Sequence, residues 1–420
     1  PARPAVPPAP TDRPPPVSDV TDATTVRARA VGLVDEVRSR VTGNLGSLPV
    51  ILGLLVIWVA FQLINPSFLS ADNLVNLTLQ CAATGTIAIG VVLVLLLGQI
   101  DLSVGSVSGL SAAILGVGLT QLGWPLAVSI LAAAAAGAAV GLLYGVLFTR
   151  FGVPSFVITL AGLLGVLGLQ LKVLGPTGSI NLPADSPIVH FATSWFLPPW
   201  VAYLLSALWA GGMFTAALLR RRRRERAGLT TSSLGWQAAK AGGLLALCVL
   251  AVTYLATNRG VGVMFVFFIV LVIVMHVVLT RTRWGREVYA VGGSVEAARR
   301  AGIRVDRVYI SVFVLCSTFA AIGGLLAAGR LMSVNLNSGA GDTNLVAIAA
   351  AVIGGTSLFG GRGSAWSALL GIAVIQSISN GLTLLNLDSS IRYMITGGVL
   401  LLAVIIDSLS RRARAAHGQA

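Results

Sequence analysis

Apolar runs long enough to cross a lipid bilayer recur along this chain, far too many of them for a water-soluble core. Residues 74–97 carry no charged side chain, and comparable stretches follow at 104–122, 126–148, 154–174, 199–219, 237–257, 261–280, 308–329, 364–384 and 391–409, with shorter ones at 49–64 and 344–358. A helix needs about 20 apolar residues to span the hydrocarbon core. In lipid the backbone must satisfy its own N–H and C=O groups, which restricts spanning structures to helices and closed barrels, and nothing here alternates like a barrel strand. The expected fold class is all-α: a polytopic helical membrane protein of about twelve membrane segments, some helices broken or re-entrant. Hydrophobic residues at 55% and charged residues at only 10% exclude an ordinary soluble domain.

The net charge of +14 invites a nucleic-acid reading. The placement of the cations argues against it, because they cluster in loops beside apolar runs, as cytoplasmic loops do. Counting lysines and arginines near span ends with the first run entering from inside puts 23 on the inner face and four (Lys172, Arg259, Arg330 and Arg392) on the outer one. Both termini are therefore expected in the cytoplasm. Residues 1–46, Pro-rich and basic, are expected to form a disordered tail; residues 47–410 the membrane domain; and 411–420 a second cytoplasmic tail. The three cysteines and three histidines are scattered, so no disulfide framework or metal site is expected.

The longest polar run between apolar segments after the N-terminal tail, residues 281–307, holds seven arginines against Glu287, Glu296 and Asp306. Gly292 and Gly293 suit a tight turn at positive φ. Ser294 is a good N-cap, Glu296 falls in the first turn, Ala297 and Ala298 favour helix, Arg299 and Arg300 sit near the C-terminal end, and Gly302 is placed to end the helix. The expectation is a short cytoplasmic helix whose small residues fit a groove on a partner. The competing reading is a solvated surface helix joining two spans.

Glu296, Ala297 and Ala298 followed by Gly302 resemble the opening of the EAA-type loop of ATP-binding-cassette importer permeases, and residues 285–302 look like that loop in the ribose/xylose branch of monosaccharide permeases. The proline that ends the longer pattern is absent. Residues 98–106, with Ile100, Asp101, Leu102 and Ser103, resemble a signature of the same branch, as do residues 346–363, at whose start Asn344 and Val346 stand in place of the acids that such permeases usually carry just before this run. The resemblance covers roughly residues 50–175 and 260–410. Residues 199–257, with the basic cluster at 220–226, are an extra pair of spans on a ten-helix core, which is more like the xylose-type member.

The resemblance implies a homodimeric permease in the bacterial cytoplasmic membrane. It would couple to two ATPase domains through residues 294–302 and receive a monosaccharide, a pentose such as xylose, from an extracytoplasmic sugar-binding protein. No G-x-x-x-x-G-K-[ST] loop occurs. ATP and Mg are thus expected on the partner, with no cofactor and no catalysis on this chain. A nucleoside or branched-chain amino acid permease of similar build is the alternative, and a stand-alone carrier or membrane enzyme a more distant one.

Several residues are candidates for the translocation path. Asp101 either faces a cavity or caps the helix that begins near Ser103, and the cap is favoured because the topology puts it at a membrane face. Thr159 either lines the path or bonds back to its own helix. Gly354, Gly355, Thr356 and Ser357 interrupt a short apolar segment, as broken helices beside a path do. Gln80 and Asn380 complete the set.

Overall fold

The computed structural model describes residues 48–229 and 233–388, together with 390, 391, 393–398, 401 and 405. The chain divides into two units, 1–48 and 49–420, and the fold below is that of the second. The expected tails at 1–46 and 411–420 lie outside the described residues, as does most of the expected closing span at 391–409.

Eleven apolar helices occupy eleven of the expected spans. They are α1 (Leu48–Ile64), α2 (Ala71–Leu96), α3 (Val104–Thr120), α4 (Leu126–Phe151), α5 (Ser155–Leu174), α7 (Pro199–Arg226), α8 (Leu234–Ala256), α9 (Val263–Arg281), α12 (Val305–Leu331), α13 (Thr343–Ile353) and α14 (Ala365–Leu384). Between them lie the short α6 (Pro187–Thr193) and, in the polar loop, α10 (Arg283–Gly293) and α11 (Val295–Arg300). Strands β1 (Ser179–Asn181) and β2 (Ser333–Asn335) pair antiparallel, with Ile180 opposite Val334. Eight of the helices are long and apolar enough to cross a membrane. Helix α13 is not: its 11 residues rise about 16 Å, roughly half a hydrocarbon core.

Helices α2 and α12 are the inner pair. For α2, 89% of its most apolar window is buried, against 11% for α8, so α2 is core and α8 is peripheral. Lipid tails are as apolar as leucine, so helices in a bilayer are held by close packing of small residues. Helix α4 does this with Gly137, Gly141 and Gly145, four residues apart on one face against α12. A Cβ on Gly141 would lie 2.8 Å from the Val314 Cα, and one on Gly145 would lie 2.7 Å from the Ile310 Cα. Nothing larger than hydrogen fits there. On another side of α12, a Cβ on Gly324 would lie 2.8 Å from the Ser108 Cα of α3.

Helices α7 and α8 pack chiefly on each other, as an added pair should. Their ties to the rest are few and specific. The Tyr254 hydroxyl donates to Leu69 O at 2.8 Å, Arg259 pairs with Asp72 at 3.0 Å, and Trp209 meets Trp366 edge-on at 5.6 Å.

Candidate functional site

The polar loop holds two helices where the sequence suggested one. The Thr282 hydroxyl caps α10 by accepting the Gly285 N–H at 3.1 Å, and Gly285, Val288 and Val291 turn one face inward. Arg283 pairs with Glu287 on the outer face at 2.9 Å. The capping threonine and this apolar spacing were the readable signals for α10. The expected turn at Gly292 and Gly293 is not made: neither has positive φ, and both close the helix. Gly292 is needed for another reason. A Cβ there would lie 2.9 Å from the Gly361 nitrogen and 3.0 Å from the Leu96 carbonyl carbon.

Helix α11 forms as expected. The Ser294 hydroxyl accepts the Ala297 N–H at 3.3 Å, Glu296 lies in the first turn, and Arg299 and Arg300 lie in the last. Gly302, at φ +77, ends it: Gly302 N donates to Arg299 O at 2.9 Å and Ile303 N to Ala298 O at 3.0 Å, a paired closure that satisfies two helix-end carbonyls. One expectation is overturned. Ala298 is 3% exposed and packs into the protein's own core, so it offers no surface to a partner. The exposed side chains are Glu296, Ala297, Arg299 and Arg300. A 3.6-residue period on six residues leaves the inward face undetermined until Ile303 and Val305 are placed behind it.

The broken segments meet the end of α10. Helix α2 stops at Leu96, Gly98 takes φ +69, and the chain turns through Asp101 into α3. Helix α13 stops at Ile353, and the chain winds through Gly355 (φ +103) and Gly360 (φ +84) to α14. Gly361 N donates to Leu96 O at 2.8 Å, and the half-buried Tyr289 of α10 donates its hydroxyl to Gly363 O at 2.9 Å. Burial pushes the Tyr289 hydroxyl above its ordinary pKa, which keeps it a donor. The Trp284 indole donates to Ser311 of α12 at 2.8 Å, so the loop is anchored to the central helix as well.

Asp101 is 1% exposed. It is not the N-cap itself. Ser103 holds that position, and Asp101 Oδ1 accepts the Ser103 N–H at 2.8 Å and its hydroxyl at 2.7 Å, folding the turn that leads into α3. Its other oxygen faces the Cys316 thiol of α12 at 3.7 Å. Thr159 is fully buried and bonds back to its own helix, 3.4 Å from Phe156 O, while also accepting the Leu102 N–H at 3.1 Å across to the turn. Asn344 Oδ1 accepts the Gly105 N–H, so this amide, where the family usually has acids nearby, joins α13 to the start of α3.

Gln80 and Asn380 belong to a second group, between α2 and α14. Asn73 Nδ2 donates to Asn380 Oδ1 at 2.8 Å, and Gln80 Oε1 accepts from Gln376 at 3.2 Å. Asn73 and Gln376 were missed from the sequence, although Gln376 and Asn380 stand one turn apart on α14. Of residues 354–357, Gly354 lies where a Cβ would be 2.7 Å from the Ser367 Cα, Gly355 is exposed, and Ser357 accepts the Phe359 N–H at 3.2 Å. Thr356 is 1% exposed, with no partner for its hydroxyl among the described residues. The candidate path residues thus fall into two groups: the broken turns with Asp101 and Thr159, and the amide network with Gln80 and Asn380.

A bundle of closely packed apolar helices, with the helix pair of the polar loop seated on the turns after α2 and α13, defines a polytopic membrane permease. The chain belongs to the family described as branched-chain amino acid transport system / permease component, which matches residues 73–404. It is 35% identical over 351 residues to the xylose transport system permease protein of Escherichia coli K12, covering 82% of this chain and 87% of that protein. It is 30% identical to the ribose import permease protein of Bacillus subtilis over 89% of this chain and 96% of the relative. It is 29% identical to the fructose import permease protein of Rhizobium meliloti over 94% of each. No solved structure matches the chain.

Proposed function

We propose that this chain is the membrane-spanning subunit of an ATP-driven importer for a monosaccharide, a pentose such as xylose. Two copies form the path across the bacterial cytoplasmic membrane, with both termini in the cytoplasm. A separate extracytoplasmic protein delivers the sugar. Two ATPase domains bind ATP and Mg and hydrolyse ATP, so this subunit does no catalysis. The relatives named for xylose, ribose and fructose support the substrate class, and the neutral amide network of Asn73, Gln80, Gln376 and Asn380 suits a hydroxylated, uncharged cargo.

The observation that carries the coupling role is the seating of α10 and α11. The exposed face at Glu296, Ala297, Arg299 and Arg300 is available to an ATPase, while Tyr289 and Gly292 on the same rigid pair touch the broken turns at Gly363 and Gly361. A partner that moves α11 therefore pushes on the glycine turns, and its differential contact with two states of those turns would bias access to one side or the other.

The test is Ala297→Trp in the co-expressed complex. The bulky ring should abolish ATPase capture and sugar-stimulated hydrolysis while membrane insertion stays normal, because Ala297 points away from the protein. Undiminished capture would sink the docking role.

A further inference from the structure

We propose that the cavity between α7 and α8 holds the phosphate headgroup of an anionic phospholipid. The cavity, of about 300 Å³, is lined by Arg220, Arg221 and Arg224 from α7 and by Lys240 from α8. Three arginines at spacings of one and three residues and a lysine on the facing helix converge on one hollow, and the acid beside them, Glu225, lies 2.6 Å from Arg221. With Arg221 paired to Glu225, Arg220, Arg224 and Lys240 still outnumber the acid beside them, and that excess of positive charge suits an anion.

Its position selects a lipid. Met213, Phe214 and Ala217 line the same wall one to three turns before the arginines, where the apolar part of α7 ends, and Trp236 and Gln237 of α8 line the other, with the Lys240 ammonium 5.1 Å from the Trp236 ring. Below the rim, Leu208, Leu247 and Leu250 are each more than 60% exposed on the two helices, a flank on which acyl chains can lie. Tryptophan and long cations are the residues that sit at headgroup level. A basic hollow between membrane helices at the end carrying the arginines suits a phosphodiester, whose oxygens take charge-assisted hydrogen bonds from guanidinium forks. The pair packs loosely on the rest of the fold, so a shared lipid would also help hold its two helices together.

The test uses the full chain in vesicles and reads Trp236 fluorescence as the difference from Trp236→Phe. Brominated phosphatidylglycerol should quench this signal more than brominated phosphatidylcholine of the same chains. Arg220→Gln, Arg224→Gln and Lys240→Gln together should abolish the preference. Lys240→Gln alone, should the triple variant fail to insert, should weaken it roughly fivefold, as the loss of one interfacial cation implies. Arg222→Gln, Arg223→Gln and Arg226→Gln together remove the same charge from outside the cavity and should leave the preference in place.

Four results would overturn the proposal. Equal quenching by the two lipids would deny any selectivity. Equal loss in both triple variants would mean diffuse attraction to a charged surface. Displacement by millimolar inorganic phosphate would identify a soluble anion as the ligand. An unchanged lipid preference in the cavity variant, together with lost ATPase capture, would make the cluster a protein-docking surface.

Discussion

The backbone N–H of Gly361 donates to the carbonyl oxygen of Leu96 at 2.8 Å, joining the turn after α13 to the last turn of α2 across 265 residues of sequence. That carbonyl belongs to a helix end and has no partner within α2, so the contact satisfies a group that would otherwise be left open. Gly292 of α10 fits against both partners, and only a residue without a side chain can do so.

Replacing Gly292 with valine forces α10 away from this contact. Overpacking of this kind costs about 1–3 kcal/mol. Expression should fall modestly, and sugar-stimulated ATP hydrolysis should become uncoupled from uptake. Normal uptake by the variant would show that the contact transmits nothing.

Tyr289→Phe removes the hydrogen bond to Gly363 O and little else, a loss of about 1 kcal/mol. Thermal stability in detergent should drop slightly and uptake should fall, while ATPase capture stays intact, because Tyr289 is not on the exposed face of α11. Loss of capture would place the docking surface on α10 instead.

Ala298→Trp and Ala297→Trp should separate by mechanism. Ala298 is buried against the protein, so its replacement should damage folding by at least 1–3 kcal/mol and lower the amount of protein in the membrane. Ala297→Trp should leave that amount unchanged. Equal membrane levels for the two variants would contradict the inward placement of Ala298.

Asn73 and Asn380 should be energetically coupled. A double-mutant cycle with alanine, followed by unfolding in detergent, is expected to give a coupling of about 0.5–2 kcal/mol, the usual range for an interhelical hydrogen bond in membrane proteins. Additive losses would show that the 2.8 Å contact contributes nothing.

Gly355 takes φ +103 and is exposed, so leucine there is strained by the backbone rather than by crowding within the chain. Gly355→Leu should block uptake while ATPase capture persists. Normal uptake would remove this turn from the path.

Much of the architecture was legible in the sequence because the bilayer enforces it. A helix that must cross about 30 Å of hydrocarbon announces itself as an unbroken apolar run, and eleven of the expected spans lie on helices. Gly302 was legible too, since a helix end at positive φ favours glycine. Gly292 and Gly293 were misread for a related reason: glycine serves both turns and close contacts, and a sequence does not say which. The inward face of α11 was equally closed to inspection, because two turns hold too few residues for a period to emerge.

The chain by itself determined the class, eleven of the expected helical segments, the weakness of the short segment expected at 344–358 and found as a helix at Thr343–Ile353, and the capping residues of α11, all of which rest on local hydropathy and on backbone chemistry within one turn. Only the tertiary structure decided that residues 96, 292 and 361 touch, that Ala298 faces inward while Ala297 faces out, that Asn73 finds Asn380, and that arginines of one helix and a lysine of the next share a cavity. These are contacts between residues up to hundreds of positions apart. They depend on how helices rotate about their axes to bring small residues together, and a single sequence carries no record of that rotation.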